Sequence, residues 1–191
     1  MASDKKISMS STALDEHDKM KEMWAFNMPC MLLVNNGRLF WTDTARDVYK
    51  MLYKDVLIKI RVSLAASLIE IVKLINLKED TEEANEDRTL IVEVANHLLS
   101  DEDQVRIKLL PNLCELISHF PEENQKMLLQ TMIRERIENE KGQKSRKVRI
   151  ELIEKLFQTF PPGDLVDANF HKYIYEAIKG EPYIASRVKM S

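Results

Sequence analysis

Side chains that could support catalysis or metal binding are present, but their spacing indicates no site. The four histidines are His17, His97, His119 and His171. None has the H-E-x-x-H spacing that would place two imidazoles on one helix face for a metal ion. The chain also lacks the G-x-x-x-x-G-K-S/T and G-x-G-x-x-G loops whose backbone N–H groups hold phosphates. With 31 carboxylates, adjacent acid pairs are expected from composition alone and indicate no general acid–base pair. We therefore predict a protein that is not an enzyme and that carries no metal ion or cofactor.

A run of basic residues is the strongest candidate for a binding surface. It extends from Lys141 to Arg149 and includes Lys144, Arg146 and Lys147. The run falls at a predicted turn and at the start of a predicted helix, where the helix dipole favours anions over cations. Placing cations at a helix start is locally unfavourable and brings no obvious structural gain. We therefore consider that these basic side chains face a binding partner. The alternatives that stay open are an acidic protein surface, RNA phosphate, a nuclear-import signal, and a solvated turn without a partner.

An acidic run lies between the first and second of the repeats defined below. Six of the nine residues in 79–87 are Asp or Glu, a composition typical of a mobile loop. We therefore predict a solvated acidic linker over 78–87. The formal net charge of the whole chain is −3, which excludes a strongly basic protein that coats nucleic acid but allows a local basic patch.

Cysteine usage and the amino terminus bear on the cellular compartment. Cys30 and Cys114 both lie in apolar stretches that predict buried helix faces, and two cysteines are too few for a disulfide framework. Residues 1–13 are polar and Ser-rich, which predicts a disordered tail without the apolar core of a signal peptide. The apolar runs are far shorter than the ~20 residues of a membrane span. We expect a cytoplasmic protein, with the nucleus as a further site.

The elements that must position these residues are predicted to be helices. Gly and Pro number only four and six among 191 residues, and helix interiors avoid both. Three segments align without gaps, each opening on a β-branched residue followed by an arginine: IRVSLAASLIEIV from Ile60, VRIKLLPNLCELI from Val105, and VRIELIEKLFQTF from Val148. The periods of 45 and 43 residues are typical of stacked helical repeats.

The aligned copies share an apolar stripe. Seven of the thirteen offsets are apolar in all three copies, against about one expected by chance. Six of these columns are Ile60/Val105/Val148, Val62/Ile107/Ile150, Leu64/Leu109/Leu152, Leu68/Leu113/Leu156, Ile69/Cys114/Phe157 and Val72/Ile117/Phe160. An amphipathic segment precedes each copy, at about 44–53, 87–99 and 121–137, and a fourth spans 164–179. We predict an all-α fold, a right-handed α-solenoid of about three and a half helix pairs in one domain over 14–191.

Several single residues carry local predictions. Pro29 and Pro111 fall inside helical patterns and should kink them. Ser100 with Asp103 predicts a capping box before the second copy. The tryptophans, Trp24 and Trp41, flank the first turn, and their indole N–H groups are expected to stay near water.

A repeat of about 40 residues, with paired helices and Val/Ile-Arg opening the second helix, resembles HEAT repeats. In that family an Asp about six residues before the Arg pairs with the Arg of a neighbouring repeat and forms a ladder. Asp55 stands at this distance from Arg61, and Asp101 is one residue off before Arg106. Position 143 is Gln, so the resemblance implies a ladder that is broken in the third repeat, at Arg149.

A narrower resemblance covers residues 24–77. AFNMPCMLLV from Ala25 is similar to an aromatic-Asn-x-Pro-Ala helix of the protein phosphatase 4 regulatory subunit 4 family, and its spacing to YKMLYKDVLIKIRVSLAASLIEIVKLI from Tyr49 is also similar. Members of that family are long HEAT solenoids. The resemblance implies an interaction scaffold that regulates a serine/threonine phosphatase of the protein phosphatase 4 or 2A type.

The same resemblance implies where a partner binds. In related phosphatase scaffolds the turns between the first (A) and second (B) helix of each pair form a ridge that touches the catalytic subunit. The corresponding residues here are Lys54, Asp55, Asp101, Glu102, Asp103, Lys141, Lys144, Arg146 and Lys147. The alternatives are a nucleic-acid or transport-factor adaptor that uses the basic turn 141–149, and an isolated capping fragment with no partner of its own.

Overall fold

The computed structural model describes residues 11–139, 143–160 and 168–178, with side chains placed for 15–137, 150–160 and most of 169–176. The described residues are helical apart from short connections and contain no strand, as the composition predicts. The helices are α1 Ser11–Val34, α2 37–52, α3 Ile58–Ile75, α4 Glu82–Leu99, α5 103–118, α6 122–139, α7 Gln143–Thr159 and α8 Ala168–Ile178.

Local sequence explains where several helices begin and end. Asn36, with φ 61°, reverses the chain between α1 and α2, and Asn76, with φ 52°, ends α3. Asparagine is among the few residues that adopt this left-handed conformation readily. Thr81 caps α4, because its hydroxyl accepts a hydrogen bond from the Ala84 N–H at 3.2 Å. At Gly37 a Cβ atom would meet the Leu74 carbonyl oxygen at 3.1 Å, so the small residue lets α2 begin against the end of α3.

The two prolines act differently. Pro111 lies in a 3₁₀ turn, Leu110–Asn112, that interrupts α5, as predicted. Pro29 lies inside α1, which continues unbroken to Val34. The predicted capping box at Ser100 and Asp103 does not form. The residue before α5 is Glu102, whose side chain makes no capping hydrogen bond. The backbone N–H of Glu102 donates to the Asp101 carboxylate.

The helices form two layers. The odd-numbered helices lie side by side in the order α1, α3, α5 and α7, and this set is called the odd row below. The even-numbered helices α2, α4 and α6 pack against it and contact one another through polar groups. Helix α2 contacts α1 and α3, α4 contacts α3 and α5, and α6 contacts α5.

The core lies between these layers and follows the aligned columns. Leu64, Leu109 and Leu152, which share a column, are at most 1% exposed. The column of Leu68, Leu113 and Leu156 is fully buried. The column of Val62, Ile107 and Ile150 marks the edge of the core, because Ile107 is 48% exposed and the other two are half-buried. The apolar stripe is therefore narrower than the sequence alignment alone predicts.

The structure corrects three expectations, which concern the acidic linker, Trp41 and Cys30. The α4 helix begins at Glu82, so only 76–81 connect α3 to α4, and the second half of the expected linker 78–87 is helical. Trp41 is completely buried, and its indole N–H reaches Asp87 instead of water. Cys114 is buried as predicted, but Cys30 is exposed, because it lies on the side of α1 away from the buried Met28 and Leu32.

Helix α1 begins at Ser11, so the last three residues of the expected tail over 1–13 are helical. Residues 1–10 lie outside the described part of the chain.

A buried carboxylate joins α2 to α4. Asp87 is 0% exposed and accepts hydrogen bonds from Trp41 Nε1 at 2.8 Å, from Arg46 Nη1 at 3.4 Å, and from Arg38. Arg38 also donates to the carbonyl oxygen of Ile75 at the end of α3. A buried charge is tolerated only when it is paired and hydrogen-bonded, and this set, the Asp87 cluster, meets that condition. It holds α2 against α4 and against the end of α3.

Candidate partner-binding site

The structure brings the first two A–B turns together. Residues 53–57, between α2 and α3, lie beside 100–102, between α4 and α5, although about 45 residues separate them along the chain. Together they line an open surface pocket of about 370 Å³, called the turn pocket below. Its lining residues are Lys54, Asp55, Val56, Arg61, His97, Ser100 and Asp101. Three predicted partner-binding residues, Lys54, Asp55 and Asp101, therefore share one site.

Arg61 fixes the two turns to each other. Its Nε and Nη2 atoms donate to the two oxygens of Asp101 at 2.6 and 3.0 Å, a bidentate pair. Its Nη1 atom donates to the backbone carbonyl of Asp55 at 2.6 Å. The Arg61 guanidinium lowers the pKa of Asp101, and Asp101 in turn raises the pKa of Arg61. One arginine of α3 thus connects its own turn with the next one, which is the kind of inter-repeat Asp–Arg contact that the resemblance implies.

Asp55 holds the first turn against α1. Its carboxylate accepts a hydrogen bond from the Leu57 N–H at 2.9 Å and an ion pair from Lys21 Nζ at 3.0 Å. Partial burial acts to raise the pKa of Asp55, but the Leu57 bond and the Lys21 ammonium outweigh it and lower the pKa. Asp55 therefore does not pair with an arginine side chain. It acts as a positioning group for the turn.

The α2 end of the turn pocket is held by a tyrosine. Tyr53 Oη donates to Glu93 Oε1 on α4 at 2.6 Å, and Lys54 Nζ reaches the same oxygen at 3.0 Å. The Tyr53 ring meets the His97 ring edge-on, with centroids 5.3 Å apart. Burial, and then the hydrogen bond to Glu93, raise the pKa of Tyr53. These contacts keep Lys54 at the pocket rim, where its ammonium also lies 4.7 Å from the Tyr53 ring centroid.

The pocket rim presents an apolar group among charges. Val56 is 88% exposed, in a turn that is otherwise held tightly by hydrogen bonds. Glu102 and Asp103, the other predicted residues of the second turn, have side chains 64% and 86% exposed. The exposed Val56 side chain therefore lies among polar and charged side chains at the rim of the turn pocket.

The remaining predicted residues are not all placed. The side chains of Lys141, Lys144, Arg146, Lys147 and the ladder residue Arg149 lie outside the described residues. The backbone of α7 begins at Gln143, so the positions of Lys144, Arg146 and Lys147 fall in its first two turns.

The contact of Arg61 with Asp101 corresponds to one step of the ladder that the resemblance implies. Arg106, which aligns with Arg61, donates to Asp103 Oδ1 at 2.7 Å within its own helix. The position in the third copy at which the resemblance would place an aspartate is Gln143.

Sequence reasoning missed several residues that line the turn pocket or hold its rim in place. His97, Tyr53, Glu93 and Val56 were not predicted as part of a site. Val56 carried a signal, since it is an aliphatic residue between Asp55 and the helix start in a turn that should be polar. His97 and Glu93 lie on α4 and meet the first turn only through tertiary packing, which no local pattern reveals.

The turn pocket is an open surface site lined mainly by polar and charged side chains. The described residues contain no group of three or more His, Cys, Asp and Glu placed to hold a metal ion. Burial raises the pKa of the Cys114 thiol to about 12, which keeps it protonated and unreactive. Among the described helices, none has the combination of length and apolar composition that crossing a membrane requires. Comparisons of the chain with protein-family models, curated proteins and solved structures gave no match.

Proposed function

We propose that this protein is a non-enzymatic interaction scaffold, a right-handed solenoid of about three and a half HEAT-type helix pairs, that binds a protein partner along its A–B turns. Supporting the solenoid are the odd row, in which each helix packs on the odd helices before and after it, and the recurrence of the same core columns. In such stacks each repeat contacts mainly its neighbours, so the turns of successive repeats line up on one edge.

The turn pocket is the observation that carries this function. The two turns are held at fixed positions by Arg61, Asp55 and Tyr53, while Lys54 and Val56 remain exposed at the rim. Because these contacts hold the turns before a partner binds, binding there would cost little additional conformational entropy. A rigid, exposed aliphatic group beside a cation favours a partner whose surface pairs an apolar depression with acidic side chains.

The partner that we propose is the catalytic subunit of a serine/threonine phosphatase of the protein phosphatase 4 or 2A type. This assignment comes from the sequence resemblance over residues 24–77, which includes the first turn. The basic positions at the start of α7 would extend the same edge with further cations, where the helix dipole already favours an anionic surface.

Direct titration of the full chain with each purified catalytic subunit tests the proposal. Val56→Asp places a charge in the apolar part of the interface and should weaken binding about tenfold or more. Lys54→Glu should slow association and flatten the salt dependence, because rim charges act mainly on encounter. Lys126→Glu, a reversal at an exposed position of α6 outside the turns, is the matched control and should bind like the unchanged chain.

Unchanged affinity in both turn variants would refute the turn edge as the binding surface. Failure of both catalytic subunits to bind would refute the phosphatase assignment. In that case salt-dependent RNA binding that disappears on reversal of Lys144, Arg146 and Lys147 would favour the nucleic-acid adaptor.

A further inference from the structure

The α1 helix has two apolar faces, and only one of them is covered within the chain. Ala25, Met28 and Leu32 are fully buried against α3 and the rest of the core. On nearly the opposite side, five large apolar side chains are more than half exposed, and the exposed Cys30 lies among them. These residues, called the α1 stripe below, are Met20 56%, Met23 65%, Phe26 74%, Leu33 70% and Val34 77%.

The size of the α1 stripe is that of a protein interface. At roughly 150–200 Å² for each large side chain, the exposed fractions amount to on the order of 600 Å². Isolated monomers rarely expose a contiguous apolar patch above a few hundred Å². A stable interface of standard size buries about 800 Å² on each partner. The stripe with its flanking polar residues therefore matches what one side of a dimer needs.

The charge pattern limits what can cover the α1 stripe. Residues 23–37 contain no Asp, Glu, Lys, Arg or His. A strongly acidic or basic partner would leave its charges desolvated and unpaired there, at a cost of several kcal/mol. The residues before α1 are polar, with only Ile7 and Met9 as large apolar side chains in 2–10, too few to cover five exposed groups. An apolar helix face is the matching occupant.

The spacing along α1 favours a second helix of the same kind. Met23, Phe26, Cys30 and Leu33 follow one another at intervals of three, four and three residues, the pattern of helices that interlock side chains at a shallow angle. Beside them a groove of about 300 Å³, lined by Glu22, Met23, Phe26, Asn27, Lys59 and Ser63, can accept a side chain from such a helix.

We propose that the α1 stripe is the interface of a homodimer in which α1 packs antiparallel against α1 of a second copy about a twofold axis. In this arrangement Phe26 faces the partner's Cys30, and Met23 faces the partner's Leu33. A twofold contact uses the same patch on both copies and needs no charge complementarity, which agrees with the neutral stripe. The odd row then continues across the axis into the second copy.

Light scattering coupled to size-exclusion chromatography tests this with the full chain. The unchanged chain should elute with twice the 22.3 kDa mass of one chain. Phe26→Asp and Leu33→Asp should each weaken self-association about 30-fold or more, the effect of changing a central interface residue. Both residues are exposed, so the circular dichroism spectrum should stay unchanged, and the thermal midpoint should match that of the unchanged chain at concentrations where both are monomeric. Val56→Asp, at an equally exposed aliphatic residue outside the stripe, should remain dimeric.

Cross-linking supplies an independent readout. A short bis-maleimide should join two copies through Cys30, and Cys30→Ser should abolish the product while leaving the dimer mass unchanged. A monomeric unchanged chain, a dimer that survives Leu33→Asp, or growth to open-ended assemblies would each overturn the proposal. Partner binding by Val56 and dimerisation by α1 use separate residues, so either can fail without the other.

Discussion

Replacing Asp87 with alanine gives the sharpest test of the packing between α2 and α4. The change removes a completely buried carboxylate and the acceptor used by Trp41, Arg38 and Arg46. Breaking a buried ion pair by removing one partner costs about 3–5 kcal/mol, and leaving a buried N–H without an acceptor costs about 1–3 kcal/mol. The arginines keep other acceptors, since Arg38 still reaches the Ile75 carbonyl and Arg46 still reaches the exposed Glu86. We therefore expect a loss of about 3–4 kcal/mol.

The loss can be measured by urea unfolding at pH 7, followed by far-UV circular dichroism and by tryptophan fluorescence. Asp87→Asn retains an oxygen for the Trp41 N–H but not the charge, and should fall between the unchanged chain and Asp87→Ala. Glu86→Ala is the matched control, because Glu86 is the preceding residue and its side chain is 62% exposed. Its effect should stay within about 0.5 kcal/mol.

A loss below about 1 kcal/mol for Asp87→Ala would refute the reasoning, since this is the result expected if 82–87 were a solvated linker. An equal loss for Glu86→Ala would also contradict it, because the destabilisation would then come from the helix start and not from the buried carboxylate.

Three further predictions concern the core, the ladder contact and the thiols. Leu109→Ala should destabilise by about 2–5 kcal/mol, because Leu109 is fully buried, and an effect within about 0.5 kcal/mol in denaturant melts would contradict its place in the core. Arg61 lowers the pKa of Asp101, so the folded chain holds the ionised carboxylate more tightly than the unfolded chain does. This contribution is complete above the unfolded value of about 3.9 and is lost as the pH falls through the lower folded value. The stability difference between the unchanged chain and Asp101→Asn should therefore shrink only below about pH 4, and a difference that vanishes near pH 6 would contradict the assignment. At concentrations low enough for the native chain to be monomeric, one thiol, Cys30, should react with a disulfide reagent, and Cys114 should react only in denaturant; two fast thiols would show that Cys114 is not enclosed.

The repeated columns were predictable because burial and periodicity agree at those positions. Leu64, Leu109 and Leu152 recur at one offset of a repeating segment, and the structure buries all three. The contact between Arg61 and Asp101 is of the kind that the resemblance implies, an arginine with an aspartate of a neighbouring repeat, while the resemblance itself stays a prediction. Its members, Arg61 and Asp101, lie 40 residues apart, and local patterns do not show which aspartate the arginine selects.

The Asp87 cluster was not predictable, because its members lie in sequence windows with opposite compositions. Asp87 ends an acidic run that by itself indicates a loop, and the partners that make its burial favourable lie 41 to 49 residues earlier. The exposed side of α1 was missed for a related reason. The helix is apolar on two faces, and a periodicity argument cannot distinguish the face that packs on α3, at Met28, from the face that carries Cys30.

The central claim, that partners bind along the A–B turns, is tested most directly by amide hydrogen exchange of the chain alone and in complex with a phosphatase catalytic subunit. In the free protein, hydrogen bonds of Arg61 and Asp55 hold the turns in place. The outer surface of both turns is open to a partner. Binding along this edge should slow exchange at 54–57 and 100–102 and leave the odd row, including α5, unchanged. Protection confined to the odd-numbered helices, with no change at either turn, would contradict the account.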